Sequence, residues 1–410
     1  MTTASSSPTD RGAGAMPCAG LRVIELAADP GGEFTSQLLA ELGAQVIKVE
    51  PPEGSASRNV GPFANDIVDP NRSLHFWYYN TNKQSVIADL HSDAGRQLFE
   101  QLLRDADILV TTLQPRELKA LRLDYASLQI RFPRLIVCSV TPFGLDGPWA
   151  DYLSSDLVAL AAGGPLNSCG YDDHSLPPIR PGGNQAYHTA ASYAQIGVML
   201  ALLERQQTNR GQLVDVSTHE ALAVTVELAN PYWFYPRVHV HRQTCRHAQP
   251  VPTQPALFLC GDGRYVYFVL IVAEQKPWQA LLGWLDRNGF AADLTDPMYS
   301  DVAYRQKNFD HVQGLVESFF MITPAEEVYR QGQALGLPIG ILNAPEDLLA
   351  DEHLRARDFF VPVHHEGLGP VLYPGATTRF SSFDAPPIRR APLLGEHGAD
   401  IASALAKENR

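Results

Sequence analysis

Cysteine is scarce in this 410-residue chain, and none of it is paired by spacing. Cys18, Cys138, Cys169, Cys245 and Cys260 are scattered, with no C-x-x-C among them. That argues against a zinc ribbon or a disulfide framework and fits reduced thiols in a cytoplasmic protein. No run of about 18 apolar residues occurs, so no membrane span is expected. Positive charge is not in excess. Lys and Arg number 32 against 45 Asp and Glu, a formal charge of −13, which argues against nucleic acid or an anionic membrane as partner. Neither G-x-G-x-x-G nor a Walker A loop is present, and no internal repeat is visible. Residues 1–18 are rich in Ser, Thr, Gly and Ala without an apolar core. They read as a disordered leader rather than a signal peptide.

The most informative segment is Leu21–Arg58. Leu21–Leu26 is a short apolar run suited to a buried strand. Asp29-Pro30-Gly31-Gly32 is turn chemistry. Phe34, Leu38, Leu39 and Leu42 recur at helical spacing, and Gly43 stands where a helix C-cap belongs. Gln45–Glu50 reads as a second strand. The result is a compact βαβ unit whose glycine turn opens a helix N-terminus, where backbone N–H groups can meet a phosphate. It reads equally well as a plain strand-to-helix connection.

The same alternation continues with strands at Ser85–Asp89, Asp107–Thr111 and Leu135–Thr141 and a helix at Asp93–Asp105. The fold class is therefore α/β, with a Rossmann-like large domain built on a mostly parallel sheet. Ligands of such sheets bind beyond the carboxyl ends of the strands. Tyr187–Arg205 predicts a long helix with a small-residue face (Ala190, Ala191, Ala194, Gly197, Ala201). Gly211–Val216 predicts a strand and Thr218–Ala229 a helix. The character changes after Asn230. Trp233, Phe234 and Tyr235 form an aromatic run of the kind more often found in a core. Residues 237–256 show little periodicity. Leu257–Leu270 predicts a hairpin around Gly261-Asp262-Gly263. We place a large domain at 19–229, a smaller α+β domain at 230–345, and a linker returning to the large domain at 346–410. At this length two domains are expected.

Three places carry candidate chemistry. Asp156 stands before an apolar helical segment, as a helix N-cap or as a carboxylate for acid–base or nucleophilic work. Tyr187 and His188 open the long helix, where they either pack its first turn or form an acid–base pair; imidazole titrates near working pH. Arg237–His247 holds three histidines near Cys245 in no zinc spacing, so no metal is expected and an anion-facing loop is the better reading.

LRVIELAADPGG…QLLAELGAQVIKVEPPEG resembles the opening of the family III CoA-transferases (CaiB/BaiF), the group of formyl-CoA transferase, carnitine CoA-transferase and α-methylacyl-CoA racemase. The resemblance continues through FWYYNTNKQSVIADLHSDAGRQLFEQLLRDADILV, PRLIVCSVTPFGLDGPWADY and LLERQQTNRGQLVDVSTHEAL, from about Ala19 to Leu394. It implies CoA transfer between carboxylic acids through acyl-CoA thioesters, with CoA as substrate and no permanently bound cofactor. It also implies an interlocked homodimer. For CoA it points to Ala28, Asp29, Pro30 and Gly31, to Pro51, and to Thr112 and Leu113, with Lys119 or Arg122 left to meet a phosphate. The family's transferases place a nucleophilic Asp at the start of the long helix. Counting back from LLERQQTNRGQ, that slot holds Tyr187, and no Asp lies between Asp173 and Asp215. Either the register differs, or Asp156, Asp172 or Asp173 substitutes, or the covalent aspartyl route is not used. A CoA-thioester lyase, hydratase or isomerase using Tyr187 and His188, and a non-catalytic CoA-binding subunit, remain as alternatives.

Overall fold

A computed structural model describes residues 16–408 except 227 and 271. Residues 1–15 of the expected leader lie outside the described residues. Its last residue is not leader-like: Cys18 is buried, and its N–H donates to the Leu42 carbonyl. The chain divides into two compact units. One comprises the residues up to Leu166 with Arg180–Glu227 and His353–Arg410; the other comprises Asn167–Ile179 and Leu228–Glu352.

The large unit is built on six parallel strands: β1 (Arg22–Leu26), β2 (Gln45–Glu50), β3 (Lys83–Ile87), β4 (Ile108–Thr111), β5 (Ile136–Thr141) and β6 (Leu213–Ser217). Their order is β3-β2-β1-β4-β5-β6. The order reverses between β1 and β4, whose register pairs Val23 with Ile108 and Leu26 with Thr111. Crevices at such reversals are where open α/β sheets bind ligands. Helices cover both faces, which is why the strands read as continuous apolar runs.

On one face, Val23, Val46, Ile108, Val110, Ile136, Cys138 and Val140 pack under α1 (Pro30–Glu41) and the long helix Gln185–Thr208. The predicted small-residue face of that helix is real. Ala190, Ala194 and Ala201 are buried in this layer, and a methyl group on Gly197 would meet Val214 at 2.6 Å. On the other face, Ile24, Ile47, Val86 and Leu109 meet Phe99, Leu102 and Leu103 of the helix Asp93–Arg104, and Ile401 and Leu405 near the C-terminus.

The helix expected over Thr218–Ala229 stops at Ala223, and a separate short helix, Ala229–Phe234, begins at its last residue. In the smaller unit, Leu257–Leu259 and Tyr265–Phe268 pair antiparallel as the predicted hairpin, and Ile339–Ile341 adds a third strand. Helices Gln275–Arg287, Phe309–Phe320 and Ala325–Ala334 supply Trp284, Phe320 and Val328 to its core.

Candidate active site

The site is built where the sheet order reverses. β1 ends at Leu26, and the chain turns through Asp29 into α1. Pro30 occupies the first turn, where its missing N–H costs nothing. The Asp29 carboxylate accepts from the N–H of Gly31 at 2.9 Å and of Gly32 at 3.4 Å through the same oxygen, Oδ1. Gly32 lies against β4 so closely that a methyl group there would sit 2.5 Å from Cγ2 of Thr112 and 2.6 Å from Cβ of Ala27. The Ala28 N–H donates to Oγ1 of Thr112 at 3.2 Å, and the Leu113 N–H to Oγ1 of Thr111 at 3.2 Å. Ala28, Asp29, Pro30, Gly31, Thr112 and Leu113 therefore share one edge. Pro51 follows β2 on that edge and is exposed. Lys119 lies on the exposed side of the helix Pro115–Leu121, and Arg122 ends that helix with φ 57°. Among the described residues, no hydrogen bond or ion pair joins either side chain to the turn.

The long helix points its first turn at the same place. A methyl group on Gly31 would lie 3.1 Å from Oδ1 of Asp29, 3.3 Å from Val140 and 3.4 Å from Cδ1 of Tyr187. Gly31 is thus the spacer between a carboxylate and the Tyr187 ring. Burial, with Glu33 nearby, raises Asp29 from an ordinary carboxyl to about 7. Burial and the neighbouring Asp29 and Asp156 charges push the Tyr187 phenol upward, so it stays protonated.

Asp156 does not cap its own helix. Ser155 does, accepting from the Val158 N–H at 3.3 Å. Asp156 occupies the first position instead, and its buried side chain reaches the long helix. Oδ1 accepts from the Ala186 N–H at 2.9 Å, and Oδ2 is held by the Arg180 guanidinium at 2.8 and 3.0 Å. It satisfies an otherwise open N–H at the start of the long helix, whose Asn184 side chain makes no cap bond.

His188 faces Tyr79, with 2.8 Å between Nε2 and the phenol oxygen. The Asn184 amide donates to that phenol at 3.0 Å. Nε2 and the phenol share one hydrogen bond, whose direction is set by the imidazole tautomer. Burial holds His188 below its usual pKa, against the pull of the Asp156 charge, and so favours the neutral ring. Phe34 packs on the ring at 4.7 Å. The arrangement anchors the His188 ring on Tyr79; the sequence offered His188 either as packing of the first turn or as an acid–base partner of Tyr187. Tyr79 escaped the sequence reading because it is 109 residues from His188, and Asn184 and Arg180 because their partners, Tyr79 and Asp156, are likewise remote in the chain.

Beneath the turn lies a buried ionic layer that the sequence reading also missed. Lys48 Nζ bonds Glu25 at 2.6 Å and Glu33 at 2.7 Å, and Lys83 reaches Glu25 at 2.7 Å. Arg58 grips Glu50 at 2.7 and 2.8 Å. All six side chains are fully buried. Burial alone would raise the Glu50 carboxyl, but the Arg58 and Lys48 partners bring it down to about 2. Oε2 of Glu33 is buried and has no hydrogen-bond partner among the described residues. The signal was available: Glu25, Lys48 and Glu50 stand inside apolar strand runs, where a charge requires a partner.

The Arg/His cluster is structured rather than irregular. His241–Gln243 and Arg246–Gln249 form a small hairpin. Its arginines are committed to the protein: Arg246 pairs with Asp172, and Arg242 donates to the carbonyls of His174 and Leu176. That overturns the anion-facing reading of these two side chains. Nor are Trp233, Phe234 and Tyr235 core residues; they are 46%, 65% and 84% exposed at the end of a six-residue helix and just beyond it.

The family model of the CoA-transferase family III matches residues 18–398. The chain belongs to CoA-transferase family III. It is a CoA-transferase, an enzyme that moves CoA between carboxylic acids. Among its relatives is the succinyl-CoA:(R)-benzylsuccinate CoA-transferase subunit BbsE of Thauera aromatica, 34% identical over 93% of this chain and 92% of that one. The succinyl-CoA–L-malate CoA-transferase beta subunit of Chloroflexus aurantiacus is 30% identical over 95% and 94%. A CaiB/BaiF family protein from Brucella suis superposes with a TM-score of 0.82 at 27% identity, covering 96% of this chain and all of that one. This family III chain shares its architecture along nearly its whole length.

Proposed function

We propose that the large unit is the CoA-binding domain and that succinyl-CoA is the donor, its CoA passing to a second carboxylic acid. The observation that carries this is the turn at the sheet reversal. There Ala28–Gly31, Thr112 and Leu113 meet the start of the long helix, and the relatives named above use succinyl-CoA. In this reading the turn floors the pantetheine end, and Pro51, Lys119 and Arg122 lie toward the nucleotide end. His188, held by Tyr79, donates its Nδ1–H to the thioester or carboxylate oxygen, and Tyr187 lines the acyl side. A neutral donor aimed at a developing oxyanion is worth about 3 kcal/mol in a water-excluded site. The test is exchange of labelled succinate into succinyl-CoA, followed by a panel of dicarboxylic acceptors. Absence of exchange with every acid would refute it.

The active form in this proposal is a cytoplasmic homodimer. Tyr193, Ile196, Leu200 and Leu203 form an exposed apolar stripe along the long helix, and such stripes mark contacts with other chains. Sedimentation as a monomer at micromolar concentration would count against it. A second reading has its own support: counted back from LLERQQTNRGQ, Tyr187 falls where the family's nucleophile is expected, and both relatives named above are subunits by name. In that reading the chain pairs with a homologous chain that supplies the nucleophile. It predicts exchange only in the mixed assembly.

A further inference from the structure

Transfer of CoA from one acid to another without loss to water needs a group on the protein that can hold the acyl or CoA moiety at thioester or anhydride energy. A carboxylate meets that need, whereas a phenol must first ionise. Tyr187 is pushed the wrong way for that by its surroundings. Two carboxylates stand near enough to Tyr187 to act on its phenol, Asp29 and Asp156, and Asp29 shares the Gly31 position with the ring. Asp156 has both oxygens engaged, one by the Ala186 N–H and one by Arg180. Asp29 engages only Oδ1, with the Gly31 and Gly32 N–H groups, and Oδ2 accepts no hydrogen bond among the described residues. The side chain next to it is absent, because the neighbour is Gly31.

We propose that Asp29 is the covalent nucleophile of this chain, a reading that rests on CoA transfer being its activity. The Asp29 carboxylate attacks the thioester carbonyl, the C–S bond breaks, and CoA leaves as thiolate from an acyl-aspartyl anhydride. The thiolate attacks the Asp29 side-chain carbonyl, the anhydride C–O bond breaks, and the donor acid leaves as carboxylate. Asp29 now carries CoA as a thioester. The acceptor carboxylate repeats the two steps in reverse and frees Asp29. One negative charge passes from carboxylate to thiolate and back, and no proton is consumed. The same geometry serves the second attack: the Gly31 and Gly32 N–H groups, 2.9 and 3.4 Å from Oδ1, stabilise the oxyanion that forms there. Burial makes Asp29 more basic than an ordinary donor acid, so the anhydride expels the donor in preference to Asp29.

The test uses the purified full-length protein, in the assembly in which it is recovered, with succinyl-CoA as probe. After acid quench, one portion is reduced with borohydride and another treated with hydroxylamine, and the peptide spanning Asp29 is sequenced by mass spectrometry. Exchange of labelled succinate into succinyl-CoA is measured in the same sample. The expected result is homoserine or hydroxamate at position 29. Tyr187→Phe should keep that mark. Asp29→Asn should lose it along with at least about 1,000-fold of the exchange rate, while its circular dichroism stays unchanged because Asn caps a helix as well as Asp does. Exchange with no mark at Asp29, a mark on another carboxylate, or exchange that survives Asp29→Asn overturns the assignment and leaves CoA transfer standing. A mark at Asp29 without exchange upholds the nucleophile and sinks the transfer reading. Neither mark nor exchange sinks both.

Discussion

Lys48→Met tests the ionic layer that supports the turn. The layer holds Glu25, Glu33 and Glu50 against Lys48, Lys83 and Arg58, so its formal charges cancel. Methionine has nearly the length and volume of lysine, so the packing loss is small. What is lost is one charge at 2.6 Å from Glu25 and 2.7 Å from Glu33, and the hydrogen bond to the Ala27 carbonyl at 2.9 Å. Removing one partner of a buried pair costs about 3–5 kcal/mol, a large share of the roughly 5–15 kcal/mol that holds a domain folded. The pH dependence has a definite sign. In the native protein, burial would raise Glu25, but Lys48 and Lys83 hold it below its ordinary value. Its stabilising contribution is therefore present above about pH 4.5 and lost below. Without Lys48, burial outweighs Lys83 at Glu25 and its carboxyl moves above its ordinary value, so the variant's deficit widens as pH rises from about 4.5. Urea denaturation at pH 5 and pH 7.5, followed by circular dichroism, should show the large-unit transition moved down by about 1 M or more at pH 7.5, with m near 3 kcal/mol/M, and by less at pH 5. Adding Glu33→Gln to Lys48→Met should restore part of the loss. A deficit under about 1 kcal/mol, or one equal at both pH values, would refute the reasoning.

Three further outcomes follow from the same geometry. Asp29→Asn should change how stability depends on pH. Asp29, facing Glu33, Lys48 and Tyr187, rises from 3.8 to about 7 in the fold, so the native protein loses up to about 4 kcal/mol relative to the variant as pH climbs between those values; parallel stability curves would contradict it. Tyr79→Phe leaves Nε2 of His188 and the Asn184 amide without their partner, so it should cost about 1–3 kcal/mol of stability and about tenfold in kcat with KM little changed; steady-state kinetics with unchanged kcat would show that His188 needs no such anchor. Gly32→Ala places a methyl group 2.5 Å from Thr112 and should destabilise by about 1–3 kcal/mol and weaken CoA binding, while Gly31→Ala, with contacts of 3.1 Å and longer, should unfold less easily than Gly32→Ala; calorimetry giving the opposite order would remove the close-packed turn as the cause.

The sequence by itself determined the parallel sheet, the glycine turn, the small-residue face of the long helix and the hairpin of the smaller unit. Those features are written in local periodicity, in turn residues and in the length of apolar runs. It also determined the family, because the motifs are long and stand in order. Only the tertiary structure decided what the polar residues do. Asp156 looked like a cap for its own helix and caps another, since the chain between them folds back. His188 read as packing or as half of an acid–base pair, and a tyrosine more than a hundred residues earlier anchors its ring. Arg242 and Arg246 looked free for an anion and are taken up by Asp172 and backbone carbonyls. Glu25, Lys48 and Glu50 were visible in the strands, but their neutralising partners come from α1, β3 and the short 3-10 helix Ala56–Asn59 that carries Arg58. The turn that opened the sequence was legible as a place to hold a ligand. That its aspartate lies one glycine away from Tyr187 is a fact of packing between two helices, and no spacing along the chain encodes it.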